Sequence, residues 1–290
     1  GWIGIRESEA RPAPFTGVSP ALYASDNREC DRGRGETMHG WRARIGLLVP
    51  AVNNTMEREL WSLVPDGVTV STGRIVCERE GTADTLRDME FEGKAACERV
   101  VTAEPHVVLF GCTSASFYQG AAWNAEYQKE LTALAGVPAI TTSGAMAEAL
   151  QRNNVRKVDV VTPYVETTNE RLRRYLESEG IEVNNLGTFD MLDMFDHARI
   201  QPTDVYQKVR ETATDEADAV FVACTQVRAL EMVDLLEKDL GKPVFSANQA
   251  SFWKVFDMLG IDPGLDAHGD LMRSLSGSKK DVLAEPRKSA

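Results

Sequence analysis

The sequence predicts an α/β fold made of parallel sheets in two similar halves. From about residue 44, short runs of β-branched and apolar residues alternate with helical patterns, which is typical of βαβ units. One run in each half ends in Cys-Thr, with Cys112 in VVLFGCTSAS and Cys224 in AVFVACTQVR. The recurrence of this motif in the same context indicates an internal duplication of roughly 110 residues per unit.

The first half contains four strand patterns with helical patterns between them. The strands are expected at residues 44–50, 68–76, 106–112 and 138–143. The helices are expected near residues 54–63, 84–104 and 119–136. Because a helical crossover joins each strand to the next, the strands are expected to run parallel, and their carboxyl ends then share one edge of the sheet.

The second half repeats this order. Its strands are expected at residues 157–164, 181–189, 219–225 and 242–248. Its helices are expected near residues 166–179, 202–217, 227–241 and 250–260. Proline lies at the end of the first strand pattern of each half, at Pro50 and Pro163, and at the start of the last one, at Pro138 and Pro243. The two halves therefore match in motif order as well as in element order.

These patterns define the expected domains. A first α/β subdomain covers residues 42–150, and the helix at 247–260 is expected to join it. A second α/β subdomain covers residues 151–246. Residues 1–41 have neither helical nor strand period and are interpreted as a poorly ordered arm, and residues 261–290 as a tail without a core-forming pattern.

Composition and charge disfavour several classes of function. The 290-residue chain has a net charge of -12, which disfavours binding to nucleic acid or to an anionic membrane surface. No run approaches the ~20 apolar residues of a membrane span, so no membrane association is expected, and the start of the chain lacks a signal-peptide pattern. Five widely spaced cysteines do not form a disulfide framework and favour a reducing cytoplasm.

The two Cys-Thr motifs are the strongest candidates for chemistry. Parallel α/β sheets bind ligands at the carboxyl ends of their strands, so two facing sheets would bring Cys112 and Cys224 into one interdomain cleft. A helix N-terminus after each cysteine would lower the pKa of the thiol toward neutrality. The N–H groups and hydroxyls of Thr113, Ser114 and Thr225 would then hold a carboxylate.

Structural explanations compete for the individual residues. A free cysteine is usually a small buried hydrophobe, and this is our interpretation of Cys77 and Cys97. Asn53 is also placed to cap a helix, and Asn248 lies in a turn that could cap the helix after the last strand. Tyr164 could equally be a half-buried aromatic residue in a loop. The paired context of Cys112 and Cys224 is what favours a functional role for them.

The sequence lacks the common nucleotide-binding and metal-binding motifs. It contains no GxGxxG, GxxxxGK(S/T), CxxC or HExxH pattern. Its four histidines are scattered, and none lies directly beside a motif cysteine. A Cys-His hydrolase and a histidine metal site are therefore poorly supported, and no metal is expected.

Five motifs in order resemble the aspartate/glutamate racemase superfamily, and most closely its branch of maleate cis–trans isomerases and arylmalonate decarboxylases. The motifs are VPAVNNTME, GCTSASF, VVTPY, ACTQVRALE and KPVFSANQASFW. They extend over residues 44–261. The resemblance implies two Rossmann-like subdomains with four-stranded parallel sheets, related by pseudo-twofold symmetry, and an active site in the cleft between them. It also implies no cofactor and a homodimer or homotetramer.

The resemblance further implies a role for each site residue. Cys112 would add as a thiolate to an alkene carbon of maleate or a related unsaturated dicarboxylate, and Cys224 would be the opposing acid/base or second thiol. Asn53 and Tyr164 match positions that bind a substrate carboxylate. The supporting donors would be Thr113, Ser114, Thr225 and Asn248.

Other activities remain open at this point. Arylmalonate decarboxylases typically keep only the second cysteine, so the pair Cys112 and Cys224 argues against a simple decarboxylase. A two-thiol racemase of an amino acid or related carboxylate is the main alternative, and a non-catalytic carboxylate-binding protein is another. Met191 stands where related isomerases often have asparagine, which favours a longer or more hydrophobic carboxylate.

Overall fold

The computed structural model describes residues 39–276, in which the chain forms two four-stranded parallel sheets. The predicted N-terminal arm lies outside the described residues up to position 38, as does the predicted tail from position 277. Among the helices of the described part, none is long and apolar enough to cross a bilayer.

The first sheet has the strand order β2-β1-β3-β4 and is parallel throughout. Its strands are β1 (Ala43–Pro50), β2 (Val68–Ile75), β3 (Val107–Phe110) and β4 (Ala139–Thr141). The helices around it are α1 (Met56–Leu63), α2 (Ala83–Val100), α3 (Thr113–Phe117), α4 (Ala121–Ala135) and α5 (Thr142–Arg152).

The second sheet repeats this topology in the order β6-β5-β7-β8. Its strands are β5 (Lys157–Thr162), β6 (Glu182–Thr188), β7 (Ala219–Val222) and β8 (Val244–Ser246). The later helices are α6 (Glu166–Ser178), α7 (Pro202–Thr212), α8 (Val233–Leu240), α9 (Ala247–Leu259) and α10 (Gly269–Arg273). The predicted α/β fold with two four-stranded parallel sheets is confirmed.

Local sequence explains why equivalent elements begin at equivalent places. Every residue of β3 and β7 is buried, as expected for central parallel strands covered by helices on both faces. At the end of β4, the Thr141 hydroxyl accepts a hydrogen bond from the Gly144 N–H and caps α5. At the end of β8, the Ser246 hydroxyl accepts from the Gln249 N–H in the same way and caps α9.

One apolar core extends through both halves. Phe252 and Phe256 of α9 belong to the same buried cluster as Met146 of α5, Leu47 of β1 and Phe221 of β7. Helix α9 packs mainly on α5 and also contacts β3 and α1. The last long helix of the chain therefore packs on elements of the first half.

The prediction that residues after 260 lack a core-forming pattern is wrong for positions 261–276. Leu271 and Met272 of α10 are buried in the main core. Arg273 holds the helix against α8 through its bond to Asp234, with Nη1 2.6 Å from Oδ1. A helix of five residues is too short to show a helical period, so only its tertiary contacts reveal it.

Candidate active site

A cavity lies between the two halves, where the turns after β1, β3, β5 and β7 meet. Parallel strands end at a common edge, so this is where the sequence predicts ligand binding. All but one of the predicted site residues line the cavity: Asn53, Cys112, Thr113, Ser114, Tyr164, Cys224 and Thr225. The exception is Asn248, which is buried outside the cavity lining.

Cys112 is the N-cap residue of α3 and is 4 % exposed. Its Sγ lies 3.8 Å from the Ser114 hydroxyl oxygen. Burial raises the pKa of this thiol to about 12, although the Ala115 N–H and the Ser114 hydroxyl favour the thiolate. Desolvation therefore outweighs the helix N-terminus in this closed site.

Cys224 occupies a different local conformation. Its φ of +84° lies in the left-handed region, which non-glycine residues rarely adopt. No helix begins directly after it, because α8 starts only at Val233, preceded by a 3-10 turn at Leu230–Met232. Burial raises the pKa of the Cys224 thiol to about 11, against a smaller lowering by the Gln226 N–H.

Two features expected of these cysteines are thus wrong. The pKa values of both thiols lie above the ordinary value and are not shifted toward neutrality. The free-energy cost of removing a thiolate from water exceeds the stabilisation that the nearby N–H groups give it. The helix N-terminus predicted after Cys224 is absent, because the chain continues there as a turn.

A histidine joins the site, which the sequence reasoning missed. His197 lines the cavity, and its Nδ1 lies 3.6 Å from the Cys224 Sγ. It belongs to a short 3-10 helix, Asp196–Arg199, in the loop after β6. His197 and Cys224 are 27 residues apart in the sequence, so no local motif indicated the contact. The one available signal was that a loop following a parallel strand lies at the same sheet edge as the Cys-Thr turns.

Two buried hydroxyl groups in the cavity have no partner. The Tyr164 Oη lies beside the Thr113 hydroxyl and the Cys224 sulfur, but within residues 39–276 neither the Tyr164 Oη nor the Thr113 Oγ1 makes a hydrogen bond of good geometry. Burial, and then the neighbouring Cys224 and Cys112, raise the pKa of Tyr164 well above its ordinary value, so it remains a donor at neutral pH. Unsatisfied buried hydroxyls are costly in a folded protein, and here they are available to a polar ligand.

Asn53 and Thr225 connect the two halves beside the cavity. The Asn53 Oδ1 accepts from the Thr55 and Met56 N–H groups, both at 3.0 Å, so Asn53 does cap the start of α1. Its Nδ2 donates to the Thr225 Oγ1 at 3.0 Å. The Thr225 hydroxyl in turn donates to the Gly111 carbonyl at 3.1 Å. The Thr225 hydroxyl is therefore engaged by protein groups already.

Asn248 acts behind the cavity and not in its lining. Its Nδ2 donates to the Thr225 carbonyl at 3.1 Å and to the Glu59 carboxylate at 2.6 Å. Ser143, at the equivalent position of the first half, donates through Oγ to the Thr113 carbonyl at 3.1 Å. Each Cys-Thr turn is thus held by a side chain that follows the neighbouring strand.

Most of the remaining lining is apolar, apart from the polar residues Thr168 and Gln226, and none of it is charged. Met191, Leu192 and Met194 contribute one side from the loop after β6, together with Leu86. None of the residues that line the cavity is Lys, Arg, Asp or Glu. Within residues 39–276, no cluster of three or more His, Cys, Asp or Glu side chains is arranged to hold a metal ion.

Backbone bonds between two loops close this side of the cavity. The Gly81 N–H donates to the Leu192 carbonyl at 3.0 Å, and the Met194 N–H donates to the Arg79 carbonyl at 2.7 Å. An ion pair between Arg79 and Asp193, 2.6 Å long, lies beside them. The apolar part of the lining is therefore shaped by contacts between the two halves.

Comparison with known proteins gives consistent matches over most of the described residues. Maleate isomerase of Alcaligenes faecalis is 26% identical over 230 residues, covering 74% of this chain and 89% of that protein. Arylmalonate decarboxylase of Bordetella bronchiseptica is 28% identical over 228 residues, covering 74% of this chain and 90% of that protein.

A solved structure shares the architecture. It is a cysteine-to-serine variant of the Nocardia farcinica maleate cis-trans isomerase with a covalently bound succinylcysteine intermediate. It superimposes with a TM-score of 0.76 at 25% identity, covering 80% of this chain and 98% of that chain. Residues 45–272 also match the family described as arylmalonate decarboxylase. Because this match includes both sheets and every residue of the cavity, the chain belongs to the arylmalonate decarboxylase family.

Proposed function

We propose that this chain catalyses the cofactor-independent cis–trans isomerisation of maleate or a related unsaturated dicarboxylate through a cysteine adduct. The observation that carries the proposal is that Cys112 and Cys224, one from each half, line the same buried cavity. A simple decarboxylase of this family would need only one thiol. Two opposed thiols can add to a double bond and transfer a proton on the same substrate.

The proposed chemistry divides into addition, rotation and elimination. The Cys112 thiolate adds to one alkene carbon, and the displaced electron pair moves through the other alkene carbon onto the carboxylate attached to it, which forms an enediolate. Cys224 protonates the other former alkene carbon, which leaves a C–C single bond about which the bound substrate can rotate. The reverse steps then release the trans isomer. A succinyl adduct is saturated, so the intermediate bound in the Nocardia farcinica relative supports a path of this kind.

Polar groups around the thiols support the choice of a carboxylate substrate. The unpartnered hydroxyls of Tyr164 and Thr113 are proposed to donate to one carboxylate group. Ser114, near the Cys112 sulfur, is proposed as a further donor, and Asn53 and Thr225 as groups that shape the site. Asn248 is proposed to act only by holding the Thr225 carbonyl.

Proton NMR of the purified protein with maleate tests this function. We expect the vinyl signal of the trans product to grow at the expense of the maleate signal, and 2-methylmaleate serves as the more hydrophobic analogue. The Cys77→Ala variant, which removes a half-buried thiol outside the cavity lining, is the control and should keep full activity.

The same samples separate the competing activities. In D₂O, loss of the α-proton signal of aspartate or glutamate without net conversion would instead identify a racemase. Conversion of phenylmalonate to a monocarboxylate would identify a decarboxylase. Binding of maleate without any conversion would contradict an enzymatic role.

A reducing cytoplasm and a homodimer or homotetramer belong to the same proposal. The described cysteines, Cys77, Cys97, Cys112 and Cys224, are all free thiols, and a reducing compartment would keep the two in the cavity reactive. Light scattering measures the oligomeric state directly, and a monomer at all concentrations would contradict that part.

A further inference from the structure

His197 faces Cys224 from a loop that the proposed addition and elimination steps do not use. The imidazole is 3 % exposed and lines the cavity, with Nδ1 3.6 Å from the Cys224 Sγ. The contact joins the loop after β6 to the turn after β7. A half-buried thiol and a buried imidazole at this distance are placed for proton transfer.

The hydrogen bonds of His197 identify its tautomer. Its Nε2 lies 3.1 Å from the Met191 carbonyl oxygen. A carbonyl can only accept a hydrogen bond, so Nε2 carries the hydrogen. Burial lowers the pKa of His197 below its ordinary value, so the ring is neutral near pH 7. The unprotonated Nδ1 therefore presents its lone pair to the Cys224 thiol.

The charged and titratable groups around His197 come from several elements. Asp193 and Asp196 lie on its own loop, and both favour a positive charge on the ring. Arg79, from the first half, pairs with these two carboxylates. The Tyr164 ring meets the imidazole edge-on, with centroids 6.0 Å apart. Because none of the cavity-lining residues is Lys or Arg, a protonated His197 would be the one cation facing a dianionic substrate.

We propose that His197 Nδ1 accepts the Cys224 thiol proton, which makes Cys224 the proton-transfer partner opposite the nucleophile Cys112. The inference rests on the proposed isomerase function and assigns roles within the same site. His197 is a positioning residue in this scheme, since it acts on the substrate through Cys224 and through its charge.

Protons and electron pairs balance over the cycle. The Cys224 S–H bond breaks as an N–H bond forms at His197. The Cys224 thiolate takes the Cys112 proton as the Cys112 sulfur bonds to carbon, and then returns that proton to the enediolate carbon. After rotation, the Cys224 thiolate removes a proton from the same carbon, and the C–S bond breaks. The Cys112 thiolate recovers the proton from Cys224, and His197 finally returns its own proton to Cys224.

Alkylation of Cys224 tests the contact without any turnover. In a Cys112→Ala background, iodoacetamide labelling of Cys224 is followed by peptide mass spectrometry across a pH series. We expect His197→Gln to slow the labelling of Cys224 at neutral pH by about tenfold or more. This effect is smaller than the usual loss of turnover when a general base is removed, because labelling probes only the deprotonation of the thiol. The matched control is His106→Gln, which changes a histidine outside the cavity and should leave the rate unchanged. An unchanged rate in His197→Gln overturns the inference.

A second measurement uses only the wild-type protein. In ¹⁵N–¹H spectra of the wild-type protein at about pH 8, His197 should show a protonated Nε2 and an unprotonated Nδ1. A protonated Nδ1 at that pH overturns the inference, even if His197→Gln fails to fold.

The two proposals fail in different ways. If maleate is not converted but His197→Gln slows Cys224 labelling, the isomerase function is wrong and the thiol–imidazole pair stands. If maleate is converted, but His197→Gln does not slow the labelling of Cys224 and Nδ1 of His197 is protonated, the isomerase function stands and the proposed role of His197 is wrong.

Discussion

The turns at Cys112 and Cys224 occupy equivalent positions in the two halves, yet their surroundings differ. Cys112 starts a helix, and its sulfur lies 3.8 Å from the Ser114 hydroxyl oxygen. Cys224 has a left-handed backbone and an imidazole within 3.6 Å. The duplicated fold thus places two thiols symmetrically, while local conformation and a neighbouring loop give them different electrostatic environments.

The two turns also differ in how they meet the opposite half. Gln226, next to the Cys224 motif, donates to the Val52 carbonyl at 2.8 Å and accepts from the Asn54 N–H at 2.9 Å. The Cys112 side meets the second half through the Gly111 carbonyl, which accepts from the Thr225 hydroxyl, and also through Phe117, whose ring lies 5.9 Å from that of Tyr164. Polar bonds between the halves therefore lie beside both thiols, and the Cys112 side adds an aromatic contact. The difference is consistent with unequal roles for the two cysteines.

Removing the thiols should produce the largest effects and the clearest contrast. Cys112→Ala and Cys224→Ala should each lower maleate turnover by more than ~100-fold, as expected when a reacting acid or base is lost. Intact-protein mass spectrometry should find a substrate adduct on Cys112 in the Cys224→Ser variant and no adduct in Cys112→Ser. An adduct on Cys224 would reverse the assigned roles, and equal turnover of either variant and wild type would eliminate the two-thiol mechanism.

Two buried tyrosines allow a matched test of the free hydroxyl. Tyr164→Phe should lower kcat/KM by roughly 10- to 100-fold, the scale of a hydrogen bond to a charged group, with little change in stability. The Tyr175 hydroxyl instead accepts from Asn124 at 3.2 Å. Tyr175→Phe should therefore cost about 1 kcal/mol in free energy of unfolding and leave kcat/KM unchanged. The opposite pattern in kinetics and urea denaturation would contradict the proposed role of Tyr164.

Met191 tests the apolar side of the cavity, next to the loop that carries His197. Met191→Asn should shift the ratio of kcat/KM for maleate over 2-methylmaleate by about tenfold in favour of maleate, the scale of one methyl group in an apolar pocket. Met191→Leu keeps the apolar surface and should leave the ratio near the wild-type value. A ratio unchanged in Met191→Asn would show that this side chain does not contact the substituent.

The smallest expected effect concerns stability near the Cys224 turn. Burial raises the pKa of Glu59, which accepts a hydrogen bond from Asn248, from the ordinary value of 4.5 to about 8. The folded state therefore binds the Glu59 proton more tightly than the unfolded state does. This contribution to stability is present at pH 4 and is lost as the pH rises through about 8.

Glu59→Gln should reduce that loss. Between about pH 5 and pH 8, the Tm of the variant should fall less than the Tm of wild type. In a domain of this size, each kcal/mol of unfolding free energy corresponds to about 2–4 °C in Tm. Glu98→Gln, at an exposed position of α2, is the control and should follow wild type. Parallel Tm curves for Glu59→Gln and wild type would contradict the raised pKa.

Much of the architecture was accessible from the sequence. Runs such as VVLF and AVFV are too short for helices and apolar on both faces, so they indicate buried parallel strands. The order of equivalent motifs predicted two matching sheets. Helix bounds were less accessible: the helix predicted near 227–241 begins at Val233, and the one near 202–217 ends at Thr212. The contacts that end a helix are tertiary and have no period in the sequence.

The sequence by itself determined that each thiol would lie at the carboxyl edge of a sheet of parallel strands, because the alternation of strand and helix patterns sets the direction of the strands. Only the tertiary structure decided what surrounds each thiol. His197 reaches Cys224 through the path of the loop after β6, and Asn248 turns away from the cavity toward Glu59 and the Thr225 carbonyl. Burial, which sets the thiol pKa values, is likewise a property of the assembled halves and not of any segment.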